Sequence, residues 1–434
     1  MKNSNPARCA CLWWFRPESL TALLIIVAAF SGPPASAQDD AEKGAAKRTN
    51  EGAFAQCVVN LQRQARAEGI SDQTIDEVLG QVTYIDRVIE LDRKQPEFTQ
   101  TFADYFSKRV TPTRVEKGRA LLAGHAALLA RVQMKTGVPP HYLVAFWGLE
   151  TNFGSYFGNM SAPDSLATLA CDQRRSKFFT AELIAALQIL DAGDIDADRM
   201  VGSWAGALGH VQFMPSTFLR YAVDGDGDGR RDLWGSVPDA MASAGNFLQQ
   251  LGWEPGLRWG REVRLSKNFD FSLAGRNKQR PLHEWADLGI TNALGQPLPT
   301  LDLPAALIVP AGYGGPAFLT YQNFRVIMGW NRSEYYALAV GHLADRIAGA
   351  GTLAQELPTD GVRLSRAQVK QLQADLQSLG FDVGKPDGIM GPATRGALSE
   401  FQQRGGLIAD GHLDQELMDA VTAAAYQPAE NAEP

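Results

Sequence analysis

The stretch Val138-Pro139-Pro140-His141-Tyr142-Leu143-Val144-Ala145-Phe146-Trp147-Gly148-Leu149-Glu150 is an almost wholly apolar run that ends on one carboxylate. Proline is tolerated in the first turn of a helix, where its missing amide hydrogen does no harm. A helix apolar on nearly every face is expected to be buried, so Glu150 is expected at the end of a core element with little water around it. Desolvation disfavours the charged form of a carboxyl group, which suits a general acid that must donate a proton near neutral pH. The plainer alternative is a glutamate that escapes to solvent where the helix stops, at Asn152-Phe153-Gly154.

A second chemistry-bearing stretch is Asp224-Gly225-Asp226-Gly227-Asp228-Gly229-Arg230-Arg231-Asp232. Carboxylates at alternate positions with glycine at the sixth wrap oxygen ligands around a hard cation. Asp224, Asp226 and Asp228 would supply side chains, Arg230 its carbonyl, and Gly229 the sharp bend. The pattern departs from an EF-hand at position twelve, where Gly235 stands in place of a bidentate glutamate. The alternative is a solvated Asp/Gly turn; the reading carried forward is a stabilising Ca2+. The six histidines form no His-Glu-x-x-His pair, and neither a Gly-x-Ser-x-Gly elbow nor a phosphate loop is present. No catalytic cofactor is expected.

These groups must be positioned by the elements around them, and the first segment to set aside is the N-terminus. Lys2, Arg8 and Arg16 precede the apolar run Leu20 to Phe30 and the triplet Ala35-Ser36-Ala37, the pattern of a secretory signal peptide over 1–37. The run of eleven residues is short of the ~20 that a membrane-spanning helix needs, so cleavage is expected rather than anchoring. Cys9 and Cys11 would leave with the signal. Cys57 and Cys171 then remain in a compartment that permits disulfides, where an even pair reads as a bridge; two unpaired buried thiols are the alternative. The formal net charge of −7 gives no basic footprint for a nucleic-acid partner.

Residues 38–50 have the composition of a disordered lead-in. Phe54, Val58, Leu61 and Ala65 recur at helical spacing, and Ser71 can cap the helix that follows. A long helix is expected from Thr113 to Lys135, stopped by Gly137-Val138-Pro139-Pro140, with others over Ser176–Leu190, Pro238–Leu251 and Ser333–Ala348. Between Trp253 and Pro310, tryptophans, prolines and glycines flank Arg261-Glu262-Val263-Arg264-Leu265 and Ala306-Leu307-Ile308-Val309, which suit a small sheet inserted in the helical domain. Residues 349–363, rich in Gly, Pro, Thr and acids, read as a linker.

Gly148-Leu149-Glu150-Thr151-Asn152-Phe153-Gly154, with Gly206-Ala207-Leu208-Gly209-His210-Val211-Gln212-Phe213-Met214-Pro215-Ser216, resembles the paired signature of lytic transglycosylases related to membrane-bound murein transglycosylase B, a family with a goose-lysozyme-like catalytic fold. The likeness covers most of Phe54 to Ile347, including Leu166 to Asp172 and Arg174 to Phe179. It implies that Glu150 is the sole catalytic carboxylate, acid and then base, in a cleavage that leaves 1,6-anhydro-N-acetylmuramoyl ends. Ordinary glycoside hydrolysis uses two carboxylates; Asp164 and Asp172 remain open as a second acid. The resemblance also implies that Ser203 and Gln212 lie beside the cleaved bond, with Asn331 and Tyr336 on the opposite wall. Capping, backbone satisfaction and core packing are the respective alternatives for Ser203, Gln212 and Tyr336. It adds Asp239 to the metal ligands, and it marks Phe247 as a departure, because relatives often carry tyrosine there.

Beyond the linker, Val369 to Leu376, Leu379-Gly380-Phe381, Pro386 to Arg395 and Ala397 to Gln402 resemble the three-helix peptidoglycan-binding domain appended to many wall hydrolases, which would hold the enzyme near insoluble substrate. A stability or protein-docking module is the alternative. The expected architecture is mainly α: signal peptide 1–37, lead-in 38–50, lysozyme-like catalytic domain 51–348 with a small strand-containing insertion, linker 349–363, three-helix domain 364–425 and a disordered tail 426–434. The expected partner is the glycan strand of peptidoglycan, with no nucleic acid and no membrane span after signal cleavage. Export to the periplasm follows for a Gram-negative host. The rival functions are a muramidase that uses water and a non-catalytic wall-binding or scaffolding protein.

Overall fold

The helix Pro140–Thr151 is apolar all round because it is covered all round. Helices Pro112–Gly124, Ala126–Thr136, Val237–Gln250 and Glu334–Ile347 pack against it, and Leu143, Val144, Ala145 and Phe146 have no solvent exposure. Full burial of such side chains stabilises by roughly 1.5–3 kcal/mol each for the larger ones. Close approach is built in at Gly118, where a Cβ would meet Ile347 Cδ1 at 2.6 Å. The computed structural model describes residues 52–94, 100–359 and 361–426. The expected signal peptide and lead-in, and the expected tail beyond Tyr426, lie outside them.

The chain is mainly helical, with a small sheet region and a helical C-terminal unit, as expected. An N-terminal helix spans 52–67, and Ser71 caps the next turn by accepting from the Thr74 amide at 3.2 Å. The single long helix expected over Thr113–Lys135 is two helices, Pro112–Gly124 and Ala126–Thr136, broken at His125, whose ψ of 18° leaves the helical region. Gly124, immediately before the break, is the local mark that the sequence carried. Gly137 closes the second helix with φ 73°, a conformation glycine adopts without the penalty of a Cβ.

The insertion forms a five-stranded antiparallel sheet in the order Gln279–Pro281, Pro304–Ile308, Ala317–Thr320, Gly260–Arg264, Thr291–Asn292. Leu307 pairs with Leu319 and Val263 with Ala317, and these residues join Trp285 and Tyr321 in a separate apolar core. Helices Arg366–Ser378, Pro392–Arg404 and Gln415–Tyr426 enclose a third core of Leu372, Leu376, Leu398, Leu417 and Val421. The last helix includes Tyr426, one residue into the expected tail.

Among the described residues of 349–363, expected as a linker, there is no helix or extended strand, and the segment is strapped to the larger unit. The amides of Ala354 and Gln355 both donate to the Glu262 carboxylate at 2.8 Å, Leu353 and Leu357 pack on the main core, and Arg363 pairs with Asp104. The C-terminal unit is docked as well: Arg395 donates to the Tyr335 hydroxyl at 2.8 Å, and the Tyr313 amide donates to Asp410 at 2.8 Å. Gly312 lies so close to His412 and Asp410 that a Cβ would approach within 2.6–2.7 Å.

Cys57 and Cys171 are joined by a disulfide, with Cα atoms 5.9 Å apart. It ties the N-terminal helix to the end of helix Ala162–Ala170 across 114 residues. A closed loop of that length restricts the unfolded chain strongly, and removal of a native bridge typically costs about 2–5 kcal/mol. Cys57→Ser with Cys171→Ser is expected to lower the denaturant midpoint by a corresponding amount with a largely unchanged far-UV spectrum, as checked by equilibrium unfolding.

Candidate active site

Glu150 ends its helix half-buried, less enclosed than its apolar helix led one to expect. What specifies it is a hydrogen bond: the Tyr336 hydroxyl donates to Glu150 Oε1. Tyr336 is buried, and burial together with the neighbouring Glu150 charge pushes its phenol well above its ordinary value. It therefore stays protonated and serves as a fixed donor. Tyr336 stands in the first turn of helix Glu334–Ile347, whose cap Ser333 accepts from the Tyr336 amide at 3.3 Å.

The chain leaves Glu150 through three consecutive left-handed residues, Asn152, Phe153 and Gly154, with φ of 49°, 62° and 72°. For the two non-glycine residues this costs on the order of 1–3 kcal/mol each unless the surroundings enforce it. Phe153 is buried with its ring against Gly148, where a Cβ would meet the ring at 2.8 Å. The Thr151 hydroxyl accepts from the Gly154 amide at 3.0 Å and donates to the His210 carbonyl at 2.9 Å. Trp147 Nε1 donates to His210 Nδ1 at 2.9 Å, so the geometry assigns the imidazole proton to Nε2. Burial lowers His210 from 6.5 to about 4, which keeps the ring neutral and able to accept. A Cβ at Gly154 would lie 2.2 Å from His210 Cε1. The two motif segments are thus bolted together by Trp147, Thr151 and His210, residues to which motif reading assigned no role of their own. Their signal was an invisible one in a single chain: a threonine and a histidine inside apolar, glycine-rich segments.

The other predicted side chains divide between site and scaffold. Gln212 has φ 49° and donates through Nε2 to the carbonyls of Phe157 at 3.1 Å and Gly209 at 3.0 Å. Ser203 Oγ accepts from the amides of Ala205 at 3.3 Å and Ala207 at 3.1 Å. Asn331 Oδ1 accepts from Ser333 at 3.0 Å. Of the four, Tyr336 is hydrogen-bonded to Glu150, while the bonds of Ser203, Gln212 and Asn331 run to backbone groups of the neighbouring loops. Behind them stands an aromatic wall in which Trp330 meets Phe146 at 4.4 Å, Phe213 at 5.3 Å and Phe247 at 5.2 Å. Phe247, without a hydroxyl, is buried in this wall. Asp164 accepts from the Thr83 amide at 2.8 Å, and Asp172 is paired with Arg93 at 2.9 Å while accepting from the Arg174 amide at 3.0 Å. Both are engaged in holding segments together.

In the acidic loop, carboxylate oxygens of Asp224, Asp226 and Asp239 lie within 4.8 Å of one another. Asp239 is fully buried and accepts from the amides of Gly225 at 2.8 Å and Asp232 at 2.7 Å. Desolvation and, to a smaller extent, the charge of Asp226 raise its carboxyl, while the amides of Gly227 and Gly229 donate to Asp224 and the Ser236 hydroxyl donates to Asp226 at 2.6 Å. Asp228 is not among the three; its carboxylate accepts from the Arg230 amide at 2.9 Å.

The larger unit is a mainly helical domain in which a tyrosine holds a glutamate at the end of a buried helix, and a three-helix unit follows it. Residues 53–345 match the Transglycosylase SLT domain family, and residues 365–421 match the family described as "Putative peptidoglycan binding domain". The chain belongs to the SLT transglycosylase family and is a lytic transglycosylase. It is 30% identical over 313 residues to membrane-bound lytic murein transglycosylase B of Escherichia coli, covering 66% of this chain and 81% of that protein. The crystal structure of SltB3 from Pseudomonas aeruginosa in complex with NAG-anhNAM-pentapeptide superposes with a TM-score of 0.83 at 46% identity, covering 85% of this chain and 99% of that one. Escherichia coli Slt35 in complex with calcium gives a TM-score of 0.59 at 30% identity, covering 67% and 92%. Among the described residues no helix is long and apolar enough to cross a membrane.

His210 and His342 are both lowered from 6.5 to about 4 by burial. A depressed histidine contributes stability that is present above its unfolded value and is lost as pH falls toward the folded one. Thermal melts are expected to be flat with respect to these two groups above about pH 6.5 and to fall between pH 6.5 and pH 4, with His210→Gln removing its share of the slope.

Proposed function

We propose that Glu150 carries both proton transfers of the cleavage. As an acid it protonates the oxygen of the β-1,4 bond between N-acetylmuramic acid and N-acetylglucosamine. As a carboxylate it takes the proton of the muramoyl C6 hydroxyl, whose oxygen closes on C1 and leaves a 1,6-anhydro end. One bond breaks, one forms, and the proton returns to Glu150, so no water is consumed. The observation that carries this reading is the Tyr336 hydroxyl on Glu150 Oε1, which holds the carboxylate in place. The structural engagements of Asp164 and Asp172 favour it over a two-carboxylate muramidase. SltB3 is described with an anhNAM-containing ligand, in keeping with such a product. Ser203, Gln212 and Asn331 are read as shaping the loops that receive the sugars.

The three-helix unit is read as holding the enzyme on the wall, and the N-terminal segment as an export signal that delivers it to the periplasm. The acidic loop is read as a calcium site in which Asp224, Asp226 and Asp239 supply carboxylates, with Asp228 and the Arg230 carbonyl completing the loop. A bound Ca2+ would neutralise the converging charges and pin the loop to helix Val237–Gln250. The convergence itself supports this, as does the calcium complex of Slt35.

Incubation of the mature protein with purified sacculi is expected to release soluble fragments with anhydromuramoyl ends, read by mass spectrometry. Glu150→Gln should lower turnover by at least about a thousandfold, in the range of general acid–base effects, while still binding sacculi, and Tyr336→Phe should reduce kcat by roughly ten- to a hundredfold, the loss of one hydrogen bond to a charged group. Reducing ends, or turnover retained by Glu150→Gln, would overturn the reading. Saturating Ca2+ is expected to raise the melting temperature and EDTA to lower it, corresponding to about 2.7 kcal/mol at a hundred times the Kd. Asp226→Asn should abolish that response in differential scanning calorimetry.

A further inference from the structure

A cavity of about 360 Å³ opens between the sheet and helix Gln322–Trp330, and no step of the reaction uses it. Its floor is one register row, Gln279 beside Ala306 beside Thr320, running across three strands. Phe324, Arg325 and Met328 form the helix side, and Arg276 and Asn277 stand at the rim. No Asp or Glu lines it. Among the described residues neither Arg276 nor Arg325 lies within ion-pair distance of a carboxylate. Arg276 lies close enough to Glu334 to act on its charge, as Arg395 of the C-terminal unit does more strongly.

Resting on the reading that the enzyme acts on peptidoglycan, we propose that this cavity receives the carboxylate-bearing peptide stem of the glycan strand, with Arg276 and Arg325 as its anion clamp. Three features carry the inference. Guanidinium groups bind carboxylates in paired hydrogen bonds, and two of them face one concavity that holds no acid of the protein. The amides of Asn277 and Gln279 add donors and acceptors of the kind a peptide backbone needs, while Ala306, Phe324 and Met328 offer apolar contact for small side chains. The third feature is continuity with the catalytic helix. Arg325 and Trp330 share one helix, about 7–8 Å apart along its axis, and the Trp330 ring packs on Phe146 at 4.4 Å, one turn before Glu150. Arg325 is exposed and Arg276 half-buried, so both can be changed without opening a core.

The test uses the full chain carrying Glu150→Gln, which removes turnover. A free pentapeptide stem without sugar is titrated by calorimetry, and binding to stem-bearing strands is compared with binding to strands stripped of peptide by an amidase. Arg276→Gln with Arg325→Gln is expected to weaken pentapeptide binding at least tenfold and to lower the preference for stem-bearing over stripped strands by a similar factor. Arg325→Glu alone should do at least as much, and its melting temperature reports that it is folded. Unchanged pentapeptide affinity, or an equal loss on both kinds of strand, would sink the proposal. Failure of the peptidoglycan reading itself is a different result: the parent then binds neither kind of strand.

Discussion

The constraint on which the site depends is the left-handed exit of the chain after Glu150. Asn152, Phe153 and Gly154 sit in backbone conformations that two of the three resist. The strain persists because Thr151, Trp147 and His210 hold both sides of the turn at hydrogen-bond distance. A helix that ended in an ordinary way would carry Glu150 out into solvent. The sharp turn instead stops the helix at the edge of the core and lets Tyr336, from a helix nearly two hundred residues further on, reach the carboxylate.

That arrangement links three layers of the molecule. Buried helix Pro140–Thr151 supplies the rigid mount, since its apolar faces are all occupied by neighbours. The aromatic wall of Phe146, Phe213, Phe247 and Trp330 aligns the motif loops with helix Gln322–Trp330. That helix then leads directly into Asn331 and the cap of the helix that carries Tyr336. The C-terminal unit joins the same region through Arg395 on Tyr335, a residue whose ring also packs at 5.4 Å on Phe102. The larger and C-terminal units therefore meet next to the segment that holds the donor to Glu150, and the straps from Glu262 and Asp104 limit how far they can separate.

Polar residues in the motifs illustrate why role assignment from residue type is harder than motif detection. Gln212 and Ser203 have the chemistry to bind sugar hydroxyls, yet in this structure they donate to or accept from backbone groups of their own loops. Both roles are compatible, because a loop that must hold a sugar must itself be held. Asp239 shows the reverse case. Its spacing placed it outside a standard calcium loop, but burial beside Asp224 and Asp226 brings it into the acidic cluster.

Sequence alone determined the helical class, the small inserted sheet and the three-helix C-terminal unit, and it singled out Glu150 as the candidate carboxylate. The helices and the sheet are written in local signals, namely apolar periodicity, capping residues and a proline near a helix start, whereas Glu150 and the three-helix unit were marked out by resemblance to known families. It also pointed to the pairing of Cys57 with Cys171, because an even pair leaves one choice. Only the tertiary structure decided that helix 113–135 is broken at His125, that residues 349–363 are tied down by Glu262 and Asp104, that Tyr336 holds Glu150 directly, and that His210 is a neutral acceptor for Trp147. Those outcomes depend on contacts between segments far apart in the chain. Whether a buried polar group caps, clamps or touches substrate is set by which donors and acceptors the fold brings within about 3 Å, and no local pattern encodes that distance.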